Sequence, residues 1–215
     1  MKYDTIYFDL DGTLTDPGIG ITNAVMYGLK QMGYPVPPRT ELYKYIGPPL
    51  SDSFREYAGM TEDWEVQETI RQFRVYYNAQ GKFENQVYDG IPQMLANLQE
   101  MGKHLILATS KPEHFARQIL EHFDLLQYFE FIGGATEDER RTRKADVLAW
   151  AMEHGGRENA VMVGDREHDV LGARANDLPC IGVLFGYGDR PELERAGAAR
   201  IAATVEELEA ILEEE

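Results

Sequence analysis

Thr5-Ile6-Tyr7-Phe8-Asp9-Leu10-Asp11-Gly12-Thr13-Leu14 reads as a short buried strand that stops at a glycine turn, with two carboxylates on the turn. Two later apolar runs also end in polar groups that a strand core does not need. His104-Leu-Ile-Leu-Ala-Thr109 runs into Ser110 and Lys111, and Ala160-Val-Met-Val-Gly164 runs into Asp165, with Asp169 beyond it. Between and after these runs lie helical patterns: Pro92 to Met101, a helix opened by Pro112, Lys144 to His154, and Asp169 to Asn176. Short strands are expected at Phe129 to Ile132 and at Cys180 to Phe185, with a last strand and helix over 200–212. Apolar strands alternating with helices imply an α/β fold, a Rossmann-like three-layer α/β/α arrangement around a parallel sheet.

One stretch departs from that alternation. Asp16-Pro17 reads as an N-cap followed by a first-turn proline, and Ile21, Val25, Leu29 and Met32 recur at helical spacing. Arg39 to Tyr45, Leu50 to Ala58 and Asp63 to Gln80 read as further helices, the last with Trp64, Ile70, Phe73 and Tyr77 on one side. The expected organisation is an α/β core of residues 1–15 and 85–215, with an α-helical cap of residues 16–84 inserted after the first strand. Ligands of open parallel sheets bind beyond the carboxyl ends of the strands.

The 215 residues carry 21 Lys+Arg against 37 Asp+Glu, a net charge of −16. Such an acidic chain is not expected to bind nucleic acid or an anionic membrane, because the electrostatic term opposes both. The one cysteine, Cys180, permits no intrachain disulfide and fits a reducing compartment. No signal-peptide order and no apolar run of about 20 residues is present, so a soluble, cytoplasmic protein is expected. Monomer and homodimer both remain open. The acidic end, Glu213 to Glu215, reads as a helix terminus.

If the strand ends are neighbours, Asp9, Asp11, Asp165 and Asp169 converge, and so many carboxylates cannot all stay ionised without counter-charge. Lys144, which opens a helix, offsets one of them; Arg143 is the alternative in the basic run Arg140-Arg141-Thr142-Arg143. A hard divalent cation would offset more, and Mg²⁺ suits oxygen ligands and phosphate. That combination would make a locally positive well for a phosphate in an acidic protein. Of the Asp9/Asp11 pair, one carboxylate could attack phosphorus and the other carry the proton of the leaving group and of water. Thr109 and backbone N–H groups of the turn would hold the equatorial phosphate oxygens.

Asp9-Leu-Asp-Gly-Thr-Leu14, Leu105-Ile-Leu-Ala-Thr-Ser-Lys-Pro112, Lys144 and Val163-Gly-Asp-Arg-Glu-His-Asp169 resemble, in order, the four motifs of the haloacid-dehalogenase-like hydrolase superfamily. The insert resembles the small helical cap of its phosphoglycolate phosphatase and β-phosphoglucomutase branch. The resemblance implies a Mg²⁺-dependent phosphatase acting on a small phosphorylated metabolite through an aspartyl-phosphate. It makes Asp9 the nucleophile, Asp11 the general acid/base, Thr109 the phosphate-oxygen donor and Lys144 the neutralising ammonium. Gly12, Thr13 and Ser110 would complete the phosphate cradle. Asp165 would hold Mg²⁺ with the Asp9 carboxylate and the Asp11 backbone carbonyl, and Asp169 would ligate through water or orient Lys144. Two departures stand out: Ala145 follows the lysine where many relatives have proline, and Arg166 follows Asp165 where many have serine.

Other readings compete residue by residue. Ser110 and Asp169 could be helix caps, and the five histidines have no ligand spacing. Tyr43, Tyr45, Tyr76 and Tyr77 could be helical core, while Tyr45 and the Gly47-Pro48-Pro49 turn are also candidates for substrate contact. A phosphomutase would use the same catalytic residues. A phospho-accepting receiver domain would place its acidic pair and accepting Asp on different strands and would lack the insert. A dehalogenase would have no use for the proton carrier of the Asp9/Asp11 pair.

Overall fold

The computed structural model describes residues 3–136, 140–156 and 158–214. The chain divides into two compact units, Met1–Asp16 with Val87–Glu215, and Pro17–Gln86. The first unit begins with β1 (Thr5–Phe8), and the chain leaves it through β2 (Thr15–Asp16). The second unit holds the helices α1 (Gly18–Gln31), α2 (Arg39–Leu42), α3 (Leu50–Ala58) and α4 (Asp63–Ala79). The chain returns through β3 (Gln86–Val87).

The rest of the first unit alternates helix and strand. It runs through α5 (Ile91–Glu100), β4 (His104–Pro112), α6 (Glu113–His122), β5 (Phe131–Ala135) and α7 (Lys144–Gly155). It continues with β6 (Ala160–Gly164), α8 (Glu167–Ala175), β7 (Cys180–Val183) and α9 (Arg190–Ala196), and ends in β8 (Arg200–Ala202) and α10 (Val205–Glu213). Six strands form one parallel sheet in the order β5-β4-β1-β6-β7-β8.

Side chains alternate between the faces of a strand, and the two cores follow that period. Ile6, Phe8, Leu105 and Leu107 face α5, α6 and α10 in one cluster. Tyr7, Ile106, Ala108 and Met162 face α7, α8 and α9 in the other. This is a three-layer α/β/α arrangement. In register, Phe8 pairs with Leu107 on one side and Val163 on the other, so β1, β4 and β6 end at the same edge. The chain winds one way from β1 to β4 and β5, then returns to the opposite side of β1 for β6. Reversals of this kind open a crevice at the strand ends, and Asp9 follows β1 directly into it.

Several local expectations need correction. Pro17, not Asp16, is the N-cap of α1, and no side chain caps that helix. The Asp16 carboxylate instead accepts a hydrogen bond from the Tyr187 hydroxyl. Strand β5 lies further along than expected, at Phe131–Ala135, because Leu126–Tyr128 is taken up by a 3₁₀ turn. It also runs through two glycines that strand propensity disfavours. The β4 ladder continues past Thr109 with an irregularity before Pro112, so α6 opens at Glu113. Trp64 is 64% exposed and does not share the buried stripe of Ile70, Phe73 and Tyr77. The six positions from 64 to 70 turn a helix through roughly 600°, about two-thirds of the way round its axis from the stripe. Of the acidic end, Glu213 closes α10, while Glu215 lies outside the described residues. No helix among the described residues is long and apolar enough to cross a membrane.

Candidate active site

The backbone N–H of Asp9 donates to Val163 O at 2.9 Å, extending the β1–β6 ladder by one rung and fixing where the first carboxylate emerges. The chain then turns tightly. Gly12 N–H donates to Thr15 O at 2.7 Å, and Leu14 N–H to Leu10 O at 2.9 Å. Gly12 takes φ +83°, and a Cβ there would run into the Asp165 carboxylate. Two separate reasons, conformation and close approach, therefore require glycine at this position.

Asp9 is 6% exposed, Asp169 1% and Asp165 fully buried. Oxygen atoms of these three residues lie within 4.8 Å of one another. Lys144, the first residue of α7, reaches between two of them: Nζ is 2.8 Å from Asp9 Oδ1 and 2.7 Å from Asp169 Oδ1. The same ammonium donates to Ala108 O on β4 at 3.1 Å. Arg143, the alternative cation, is instead the N-cap residue of α7. Asp169 does not cap α8, because Arg166 occupies that position. Asp169 stands one turn in, and its Oδ2 accepts from Arg166 N–H at 3.0 Å.

Asp11 belongs to a different pair. Its Oδ2 lies 2.6 Å from Lys111 Nζ. Thr109, 1% exposed, accepts from Lys111 N–H at 3.3 Å, so Thr109, Lys111 and Asp11 are linked along the end of β4. Thr13 is fully buried, and Ser110 is half-buried beside Thr109. Tyr45 and Gly47 belong to the helical unit. Tyr45 is 2% exposed, with ring centroids 5.5 Å from Phe54 and 5.3 Å from Tyr57, so it is part of that unit's own core. Burial pushes its hydroxyl up to about 12. Gly47 takes φ +105° in the turn that leads to α3.

Burial pushes the Asp165 carboxyl well above the usual carboxylate range, and the charges of Asp169 and Asp9 push it further. Burial also raises Asp11 and Asp169, against the opposing pull of Lys111 and Lys144 respectively. Burial works against the charge on Lys144 as well, but the attraction of Asp169 and Asp9 outweighs it and holds its pKa above the ordinary lysine value. The cluster thus holds more carboxyl groups than its one ammonium can balance as carboxylates. Asp165 Oδ1 is buried and has no hydrogen-bond partner among the described residues. A buried, orphaned carboxylate oxygen beside two further carboxylates suits a hard, oxygen-seeking divalent cation. These residues could hold a metal ion.

Two participants are not legible as site residues in the sequence alone. Lys111 reads as a polar group after a strand, but spacing alone does not say which carboxylate it meets. Tyr187 follows β7 within Gly186-Tyr187-Gly188, and its N–H donates to Asp165 Oδ2 at 2.8 Å. The paired glycines were the available signal, since they mark close backbone approach.

A model of the haloacid dehalogenase-like hydrolase family matches residues 6–183. The chain belongs to that family. Among its relatives in the family, a 5′-nucleotidase of Pseudomonas aeruginosa is 39% identical over 217 residues, covering 99% of this chain and 97% of that protein. A protein of Mycobacterium tuberculosis named tyrosine-protein kinase PtkA is 41% identical over 207 residues, covering 94% of this chain and 70% of that protein. The crystal structure of a predicted phosphatase from Clostridium acetobutylicum superposes with a TM-score of 0.95 at 45% identity, covering 99% of both chains. As a member of this hydrolase family, with phosphatases among its relatives, the chain is an enzyme.

Proposed function

We propose that this enzyme is a phosphatase that hydrolyses a small phosphomonoester through an aspartyl-phosphate on Asp9, with Mg²⁺ held by Asp9, Asp165 and the Asp11 carbonyl. The observation that carries this reading is the separation of two buried lysine–carboxylate systems at one sheet edge. Lys144 serves Asp9 and Asp169, and Lys111 serves Asp11. Two carboxylates in different electrostatic settings suit two chemical roles.

In the first step an Asp9 carboxylate oxygen forms a bond to phosphorus while the bond from phosphorus to the ester oxygen breaks. Asp11, whose raised pKa favours the protonated form, gives its proton to the departing alkoxide. In the second step Asp11, now ionised, takes a proton from water as the water oxygen attacks phosphorus. Inorganic phosphate leaves and the Asp9 carboxylate is restored. Lys144 aims Asp9, and the Thr109 hydroxyl, with Ser110, holds the non-bridging oxygens; the N–H groups of Gly12 and Thr13, expected in this cradle, are instead engaged by Thr15 O and Leu10 O. A bound divalent cation neutralises charge on the phosphoryl oxygens. Asp169, with both oxygens already engaged by Lys144 and the Arg166 N–H, orients the lysine.

The phosphoryl chemistry needs no group outside the α/β unit, so the helical unit is assigned the choice of ester. Nucleoside 5′-monophosphates head the candidates because one relative is a 5′-nucleotidase, followed by phosphoglycolate-like monoesters. The test is a screen of phosphometabolites with Mg²⁺ and with EDTA, reading released phosphate. Multiple turnover that EDTA abolishes is expected. A single stoichiometric phosphorylation, or release indifferent to EDTA, would overturn the reading.

A further inference from the structure

The segment Leu184 to Asp189, between β7 and α9, is pressed against Asp165. A Cβ on Gly186 would collide with Gly12 O and the Asp165 side chain, and one on Gly188 would collide with Asp165 O. Bare backbone is the only thing that fits, and it places the Tyr187 N–H 2.8 Å from Asp165 Oδ2. The hydroxyl of the same residue donates to Asp16 Oδ1. Burial and the Asp16 carboxylate push that hydroxyl far above the ordinary tyrosine value, so it remains a donor. Asp16 is the last residue of the α/β unit before the chain leaves it at Pro17. The same segment also meets the returning chain, for the rings of Phe185 and Tyr88 lie edge to face at 5.3 Å. Tyr88 N–H in turn donates to Leu14 O at 3.2 Å.

We propose that Tyr187 is a positioning residue that ties the Asp165 carboxylate to the Asp16 carboxylate, so that a cation held at Asp165 also stiffens the point where the chain leaves the α/β unit. The inference rests on the reading of Asp165 as a cation ligand. Tyr187 acts through Asp165. Its backbone amide aims one Asp165 oxygen and leaves the orphaned Oδ1 for the cation. Its ring and hydroxyl fix that amide in place against Asp16. Groups that orient a ligand from behind affect metal affinity strongly, and hydrogen bonds to charged acceptors are the stronger kind.

The test uses the full chain and Mg²⁺ alone. Isothermal titration measures affinity, and hydrogen–deuterium exchange follows peptides covering residues 14–17 and 184–189. Tyr187→Phe keeps the ring and the backbone N–H and loses only the hydroxyl. Asp16→Ala removes the acceptor, and Asp16→Asn keeps an acceptor oxygen. Both Tyr187→Phe and Asp16→Ala are expected to weaken Mg²⁺ binding about tenfold, and the double variant no more than either. Asp16→Asn should recover most of that loss. In the wild type, Mg²⁺ should slow exchange in both segments; in Tyr187→Phe it should slow exchange only in 184–189. Mg²⁺ protection of 14–17 that persists in Tyr187→Phe, or additive losses in the double variant, would overturn the tether while leaving the cation site intact. A wild type that binds no Mg²⁺ would overturn the reading of Asp165 itself, and the tether with it.

Discussion

Lys111 Nζ lies 2.6 Å from Asp11 Oδ2, in an ion pair whose side chains are 5% and 12% exposed. This contact gives the two acidic residues on the glycine turn different partners. Asp9 shares its ammonium, Lys144, with Asp169, whereas Asp11 is held by a lysine from the end of β4 that also engages Thr109. The Asp11 carboxylate, the proposed proton carrier, is thus paired apart from the three that surround the candidate metal position.

Asp9→Asn is expected to abolish phosphate release while leaving the fold intact, because an amide cannot attack phosphorus. Circular dichroism should be unchanged, and no burst of product should appear on mixing with p-nitrophenyl phosphate. Wild-type protein with Mg²⁺ and beryllium fluoride should bind the fluoride complex at Asp9. Appreciable activity in the variant, with deamidation back to aspartate excluded by mass, would rule out the covalent route.

Asp11→Asn should act on a different step. With an activated aryl leaving group the phospho-intermediate still forms, but its hydrolysis should slow by about 10²–10⁴-fold. Phosphate release from an alkyl ester, whose leaving group needs a proton, should fall further than release from the aryl ester. Lys111→Met should shift the same balance more mildly, since the proton carrier would remain but lose its anchor. Equal losses on good and poor leaving groups in Asp11→Asn would remove the acid role.

The parts of this molecule legible in its sequence are those fixed by local pattern. The run Thr5–Phe8 and its Asp9-Leu-Asp-Gly turn specify a strand, a stop and a pair of carboxylates over a few neighbouring residues, and β1 has those bounds. The two faces of the sheet likewise follow the alternation of Ile6, Tyr7 and Phe8. What escaped the sequence are contacts made across long separations. Asp16 resembles a helix cap from its neighbours alone, but its carboxylate is claimed by Tyr187, 171 positions away. Lys111 likewise meets Asp11 only because β4 lies beside β1. Trp64 fits the apolar composition of its helix but not the angular position of the buried stripe.

Removing Lys144 should expose the charge imbalance of the cluster. Lys144→Met leaves Asp9 and Asp169 buried without their shared ammonium, and breaking a buried pair from one side costs about 3–5 kcal/mol. The melting temperature measured in EDTA should therefore fall markedly, and saturating Mg²⁺ should restore part of it. Turnover should be lost in either condition, because Asp9 is no longer aimed. A melting temperature in EDTA equal to that of the wild type would contradict a Lys144 ion pair that stabilises the metal-free fold.

The response to Mg²⁺ should also depend on pH, with a sign set by the raised carboxyls. Asp165, Asp11 and Asp169 each have a folded pKa above the ordinary carboxylate value. Raised carboxyls favour the folded state below their unfolded pKa and lose that contribution as pH rises through the folded pKa. The metal-free protein should therefore lose stability from these groups as pH rises above the ordinary carboxylate range, and a cation that binds the ionised Asp165 should return part of it. The gain in melting temperature on adding Mg²⁺ should be larger at the upper pH, and Asp165→Asn should shrink it. A gain that is flat with pH, or larger in acid, would contradict a cation held at Asp165.

The choice of substrate should respond to changes in the helical unit that leave the chemistry alone. Tyr45 is a poor probe, since its buried ring packs on Phe54 and Tyr57 and its loss would loosen the unit's core. The neighbouring turn is a better one. Pro48 and Pro49 follow Gly47, whose φ of +105° sets the turn ahead of α3. Pro48→Ala relaxes that rigidity without removing a buried side chain. It should alter the ranking of kcat/KM among nucleoside monophosphates and phosphoglycolate-like esters, while the rate on a small aryl phosphate stays within about twofold, because uniform phosphoryl chemistry stays with Asp9, Asp11 and Lys144. The measurement is kcat/KM on each ester for both proteins. A parallel fall on every ester, or no change on any, would take the specificity role away from this turn and leave it a structural connection between helices.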